Sequence, residues 1–90
     1  MQRLEKTFVV VNALGLHARP AALVVQTANR FRSDVQFEKE GFQINAKSIM
    51  GVLTLAAGRG TPVLVTCEGE DAADALAAIG KLFESGFGER

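Results

Sequence analysis

His17 is the only histidine of the 90-residue chain, and it lies in the segment GLHARP at residues 15–20. An imidazole side chain can act as a nucleophile. Pro20 favours the first turn of a helix, and a helix start offers free backbone N–H groups to an anion. Arg19 adds a permanent positive charge with a forked set of donors. The segment therefore predicts that His17 receives a phosphoryl group, which the backbone N–H groups of Ala18 and Arg19 bind.

A lone histidine at a helix start can also serve as a cap, a surface residue or a packing residue. Gly15 favours a reaction centre, because glycine allows the chain to turn tightly just before the helix. A hydrolase with His17 as its general base is a weaker alternative, since no Ser, Cys or Asp lies beside His17 in the sequence.

A second motif, KSIMGV at residues 47–52, follows the first motif, GLHARPA at residues 15–21. Together they resemble the HPr family, the histidine-containing phosphocarrier proteins of the bacterial phosphoenolpyruvate:sugar phosphotransferase system. The resemblance extends from about residue 6 to the C-terminus. It implies that Nδ1 of His17 accepts a phosphoryl group from phosphorylated enzyme I and passes it to IIA domains of sugar permeases. It also implies that Arg19 neutralises the charge of the phosphate.

This resemblance implies a stoichiometric carrier with a phosphohistidine intermediate rather than an enzyme, and we expect neither a cofactor nor a metal. The ending LFESGF at residues 82–87 is typical of NPr, the nitrogen-related paralogue, whereas KSIMGV favours HPr with a regulatory serine. A regulatory binding protein without transfer is the alternative of another class. Members of that kind replace the histidine, and His17 is present here.

Ser48 stands where a short helix over residues 49–55 is predicted to begin. Serine is a good N-cap, so capping alone explains its position. A helix start also tolerates an added phosphate. The resemblance implies that Ser48 is phosphorylated by an ATP-dependent HPr serine kinase/phosphorylase, which slows transfer at the histidine.

The run IMGVLTL at residues 49–55 is too apolar for one short helix to bury entirely. Exposed apolar residues mark a partner surface, and methionine suits a surface that binds several unlike proteins. We therefore predict a docking patch for enzyme I and the IIA domains, made of Leu16, Ala18, Ile49, Met50 and Leu53.

The composition is that of a globular protein, with 48% hydrophobic residues and a formal net charge of zero. One domain over residues 1–90 is expected. Zero net charge argues against nucleic acid as a partner, and no apolar run reaches membrane-spanning length. We expect a cytoplasmic monomer without a membrane contact. Cys67 is the only cysteine, and its alternation with Val63 and Val65 predicts a buried structural thiol.

The order of predicted elements is strand, helix, two strands, short helix, strand and helix. The first strand covers residues 4–11, the first helix 18–31 and the fourth strand 62–68. Period-two alternation over residues 34–38 predicts the second strand, and Gly41 turns it into a hairpin with the third. The last helix starts near Asp71, whose carboxylate is expected to cap it.

Two long amphipathic helices should cover one face of an antiparallel sheet, which makes the fold α+β. The resemblance implies the same architecture in more detail. It is an open-faced β-sandwich of the order βαββαβα, with four strands in the order 1-4-2-3 and two long helices and one short helix on one face.

Overall fold

The fold is described by a computed structural model over residues 1–89. The elements are β1 (Gln2–Val9), α1 (Ala18–Ala28), β2 (Asp34–Lys39), β3 (Phe42–Asn45), α2 (Ile49–Leu55), β4 (Pro62–Gly69), α3 (Ala72–Glu84) and a 3₁₀ turn (Gly86–Gly88). The four strands form one antiparallel sheet in the order β1-β4-β2-β3. The predicted α+β open-faced β-sandwich is confirmed.

The hairpin between β2 and β3 shows how local sequence sets the sheet register. Glu40 and Gly41 form its two-residue loop with φ of 51° and 81°. Positive φ at both positions is the geometry of a type I′ turn, whose twist matches that of paired strands. Strand β4 lies inside the sheet, where it pairs with β1 on one side and with β2 on the other.

The core lies between the sheet and the helices. Alternate residues of β2 and β4 are fully buried, as period-two patterning requires: Val35, Phe37, Val63, Val65 and Cys67. Helix α3 packs on β1 and β4, and α2 packs on β3 and β2. The ring of Phe83 lies 5.2 Å from that of Phe8 and 5.6 Å from that of Phe37, measured between centroids. Each such buried side chain stabilises the fold by about 1.5–3 kcal/mol.

Two predicted elements extended too far at their C-terminal ends. Strand β1 ends at Val9, which pairs with Pro62, rather than at residue 11, because the next residue, Val10, bonds Gly60 and Thr61 of the turn before β4 instead of a partner strand. Helix α1 ends at Ala28 rather than at residue 31. There the side-chain amide of Asn29 donates to the carbonyl of Val25, and Phe31 N–H bonds the carbonyl of Ala28 in a tighter turn.

The prediction that the Asp71 carboxylate caps α3 was wrong, since the helix start has no side-chain cap bond. The carboxylate instead accepts bonds from Arg32 N–H at 3.0 Å, Ser33 N–H at 2.9 Å and the Ser33 hydroxyl at 2.5 Å. These bonds, led by that of the hydroxyl, lower the pKa of Asp71 to about 2. Asp71 therefore joins the loop after α1 to the start of α3.

Cys67 is fully buried, as predicted. Burial, with a smaller contribution from the charge of Asp71, raises the pKa of its thiol to about 11, which makes the thiolate scarce near neutral pH. Within residues 1–89, no helix is long and apolar enough to cross a membrane. The same residues contain no group of three or more His, Cys, Asp or Glu side chains that could hold a metal ion.

Candidate functional site

The start of α1 presents free backbone donors next to His17. His17 is the N-cap residue, with extended backbone and no side-chain bond to the helix. Its carbonyl accepts the first helical bond, from Ala21 N–H at 2.9 Å. Pro20 has no N–H, and helix geometry leaves those of Ala18 and Arg19 without intrahelical partners. The predicted anion site at residues 17–19 therefore lies at a helix start whose first backbone donors have no intrahelical partner.

A close approach between two loops fixes the position of His17. Gly15 has a φ of +68°, and a Cβ added to it would lie 2.5 Å from the carbonyl oxygen of Ala57. Only glycine fits both the positive φ and the close approach. The next residue, Leu16, donates its N–H to that same Ala57 oxygen at 2.9 Å. The loop before α1 is therefore held against the segment that follows α2.

The ring of His17 is oriented by a carboxylate. Its Nε2 lies 3.0 Å from Oε1 and 2.9 Å from Oε2 of Glu89. An ionised carboxylate only accepts hydrogen bonds, so Nε2 must be the donor. In the neutral ring the lone pair then lies on Nδ1. The His17 side chain is 36% exposed, which gives a partner protein access to this nucleophile.

Glu89 was missed by the sequence analysis, because it lies 72 residues from His17 along the chain. Residues 86–89, which we name the C-terminal turn, return the chain after α3 with positive φ at Gly86, Phe87 and Gly88. Phe87 is buried, and its ring centroid lies 5.1 Å from that of Phe83. The only signal in the sequence is Phe87 between two glycines, which predicts a buried turn. That signal does not indicate which residue Glu89 would contact.

Charges around Glu89 keep it ionised. The hydrogen bond from His17 is the main cause that lowers the pKa of Glu89, and the Asn12 amide and the charges of His17 and Arg19 act in the same direction. Arg19 itself is exposed. Arg19 is thus close enough for its charge to act on Glu89.

Only some of the residues predicted to form the docking patch are exposed. Ile49 is 46% and Met50 is 69% exposed, Ala18 is exposed and Leu53 is half-buried. Leu16 was wrongly assigned to this patch, because only 4% of it is exposed and it packs in the core.

Leu14, which the sequence analysis did not select, is 74% exposed. It lines a shallow recess of about 280 Å³ together with His17 and Leu53. Leu14 and Leu16 flank Gly15, whose φ is positive, and they differ in exposure, with Leu14 on the surface and Leu16 in the core.

Ser48 is the N-cap of α2, as predicted, and its Oγ accepts a bond from Gly51 N–H at 3.1 Å. The residue is exposed. Helix α2 packs against α1, and Leu53 of α2 lines the recess beside His17. Ser48 and His17 therefore stand at the starts of two neighbouring helices.

Comparison with known proteins identifies the family to which this site belongs. Residues 4–85 match the family PTS-HPr, described as the PTS HPr component phosphorylation site. The chain belongs to the HPr family. It is 48% identical over 86 residues to phosphocarrier protein HPr of Xylella fastidiosa strain 9a5c, which covers 96% of this chain and 97% of the relative. It is therefore a phosphocarrier protein of the HPr type.

Solved HPr structures have the same fold. HPr-C-His of Thermoanaerobacter tengcongensis superposes with a TM-score of 0.93 at 47% identity, covering 97% of this chain and 98% of that one. HPr of Bacillus anthracis gives a TM-score of 0.87 at 47% identity, covering 92% and 99%. An HPr dimer of T. tengcongensis also matches, with a TM-score of 0.78 at 51% identity and coverage of 83% and 86%. Because HPr dimers exist, the expectation of a monomer stays a prediction.

Proposed function

We propose that His17 accepts a phosphoryl group on Nδ1 from phosphorylated enzyme I and passes it to IIA domains of the sugar phosphotransferase system. The observation that carries the proposal is the contact between Nε2 of His17 and Glu89 at 2.9 Å. That contact leaves Nδ1 as the nucleophilic nitrogen of a half-exposed ring beside the start of α1. We place this activity in a single cytoplasmic domain.

The transfer is an in-line displacement. The lone pair of Nδ1 forms a bond to phosphorus while the bond from phosphorus to the donor's histidine nitrogen breaks. Charge on the transferring group is offset by the Arg19 guanidinium and by the N–H groups of Ala18 and Arg19, so the chain contributes positioning and electrostatics. The same steps in reverse deliver the group to a IIA domain.

The site supports a carrier better than an enzyme. His17 lies on an open surface beside a shallow recess, and the reacting groups of the partner must complete the site. Among residues 1–89, Glu89 is the only side chain within hydrogen-bond distance of the His17 ring, and no hydroxyl or thiol bonds to it. The chain thus carries the phosphoryl group stoichiometrically between two proteins.

The docking patch that we propose for enzyme I and the IIA domains consists of Leu14, Ala18, Ile49, Met50 and Leu53. Leu14 takes the place of the buried Leu16. Leu14 and Leu53 line the recess beside His17, and the exposed Ile49 and Met50 extend this apolar surface along α2. A neutral protein without a basic stripe suits protein partners rather than nucleic acid.

We also propose that an ATP-dependent HPr serine kinase/phosphorylase modifies Ser48. Its hydroxyl is exposed, and Ile49 and Met50 of the docking patch follow it directly. A phosphate there adds about −1.5 to −2 charges next to a surface that is desolvated on binding. Phosphorylation should therefore weaken binding of enzyme I while the fold persists.

Labelling with phosphoenolpyruvate tests the function. Enzyme I and phosphoenolpyruvate should add one acid-labile, base-stable phosphate per chain, and a His17→Ala variant should take up none. The matched control is Ser48→Ala, which should be labelled like the wild type. Label retained in His17→Ala would contradict the proposal. A parallel assay with enzyme I of the nitrogen-related system distinguishes HPr from NPr, since the cognate donor should react faster.

A further inference from the structure

We infer that Glu89 is a positioning residue that keeps a proton on Nε2 of His17 throughout phosphoryl transfer, and that Asn12 holds Glu89 in place. This role deepens the proposed function and rests on it. Glu89 lies beyond residues 4–85, over which the family matches. The role therefore comes from a contact outside the matched segment.

The geometry of the carboxylate carries the inference. Both oxygens of Glu89 lie within 3.0 Å of Nε2. Asn12, only 2% exposed, donates from its side-chain nitrogen to Oε1 of Glu89 at 3.0 Å and to the carbonyl of Gly15 at 2.8 Å. Asn12 thus joins Glu89 to the loop that positions His17. A carboxylate held by a second donor behind a histidine is an arrangement that fixes the tautomer and orientation of the ring.

The C-terminal turn is built to place this carboxylate. The backbone N–H of Gly88 bonds the carbonyl of Ser85 at 3.2 Å, and that of Glu89 bonds the carbonyl of Gly86 at 2.9 Å. Phe87 anchors the turn in the core. A Cβ on Gly86 would come within 3.6 Å of Val11, so the turn packs against the segment that leads to Asn12.

The proton on Nε2 has a different consequence in each direction of transfer. Before transfer, Nε2–H leaves the lone pair on Nδ1, which attacks phosphorus as the donor's N–P bond breaks. After transfer, the ring carries both the proton and the phosphoryl group, and its positive charge is paired with Glu89. When an acceptor nitrogen attacks phosphorus, the N–P electron pair returns to Nδ1 and the ring leaves neutral. Without that proton the leaving group would be an anionic imidazolate, which leaves far less readily.

Two other charged groups face this contact. Arg19 stands at the start of α1, and its charge favours the ionised form of Glu89. Glu84, at the end of α3, lines the same surface recess as Glu89. Asn12, from the loop before α1, is uncharged. Glu84 therefore supplies a matched control, since it is an exposed carboxylate near the C-terminal turn.

Nuclear magnetic resonance of ¹⁵N-histidine-labelled protein tests the contact directly, because His17 is the only histidine. We expect a downfield Nε2–H proton resonance that exchanges slowly in the wild type and in Glu84→Ala. The resonance should disappear in Glu89→Ala. Glu89→Gln keeps an acceptor oxygen without the charge and should be intermediate. A resonance unchanged in Glu89→Ala would overturn the inference.

The pH profile of onward transfer tests the mechanistic role. Phosphorylated wild type and Glu84→Ala should transfer to a IIA domain up to a higher pH than phosphorylated Glu89→Ala. Above that pH the variant should be slower by about tenfold to a hundredfold, the effect of one charge-assisted hydrogen bond. Identical profiles would refute the role. If wild type and Glu84→Ala both fail to accept a phosphoryl group, the proposed function itself fails, whereas the ring-proton resonance still reports the contact.

Discussion

Helices α1 and α2 pack against each other and use their N-cap side chains in opposite ways. At α2, Ser48 turns its hydroxyl to its own helix and accepts a bond from Gly51 N–H at 3.1 Å. At α1, His17 makes no such bond, and its ring turns instead to Glu89 at 2.9 Å. Ser48 thus accepts a bond from a backbone N–H group at the start of its helix, whereas His17 leaves the first N–H groups of its helix without a side-chain acceptor.

This difference separates a structural helix start from the one that we propose to be reactive. The positive end of a helix dipole favours an anion in both places. At α1 the donors of Ala18 and Arg19 are available for a phosphoryl group, because neither the side chain of His17 nor Pro20 engages them. At α2 the serine hydroxyl already engages one donor, so a phosphate on Ser48 would first have to replace that bond.

The largest expected effect comes from reversing the charge at the reactive start. Arg19→Glu should slow phosphoryl transfer from enzyme I by about tenfold to a hundredfold, since each charge-assisted hydrogen bond is worth about 1.5–3 kcal/mol. Arg30→Glu changes the net charge equally at the opposite end of α1 and is the control. Rapid-quench kinetics on both folded variants measure the effect. Equal rates in the two variants would show that Arg19 is only a surface residue.

A smaller effect is expected at the capped start. Ser48→Asp mimics a phosphate with one charge. It should raise the activation free energy of transfer from enzyme I by about 1 kcal/mol, which slows transfer roughly fivefold. Ser48→Ala should transfer normally but lose about 1 kcal/mol of unfolding free energy, the value of an N-cap. Transfer rates and denaturant unfolding distinguish the two roles. If Ser48→Asp accepts phosphate as rapidly as the wild type, Ser48 acts as a cap alone.

The start of α3 extends the comparison to stability. The pKa of Asp71 is lowered to about 2 from its ordinary value of 3.8. A depressed carboxyl pKa stabilises the fold fully above about pH 4, and this stabilisation is lost as pH falls toward 2. Asp71→Asn should therefore unfold at a lower temperature than the wild type at pH 7. Thermal unfolding from pH 7 to pH 2 should show the difference shrink, and a constant difference would contradict the assignment.

Much of the fold could be predicted from local patterns and from the resemblance. Helix α2 has the bounds expected from its apolar run, and Ser48 caps it as predicted. Alternation predicted β2, and the two motifs indicated the strand order. These features are accessible because caps, turns and hydrophobic periodicity act within a few residues of the chain.

The sequence by itself determined where His17, the proposed phosphoryl acceptor, stands, at an open helix start beside Arg19. Only the tertiary structure decided which groups surround it. It placed Glu89 against His17 across 72 residues, exposed Leu14 in place of Leu16, and directed Asp71 to the loop after α1 rather than to its own helix. A cap or a turn depends on neighbouring residues, whereas a hydrogen-bond partner or an exposed face depends on where distant segments meet once the core has formed.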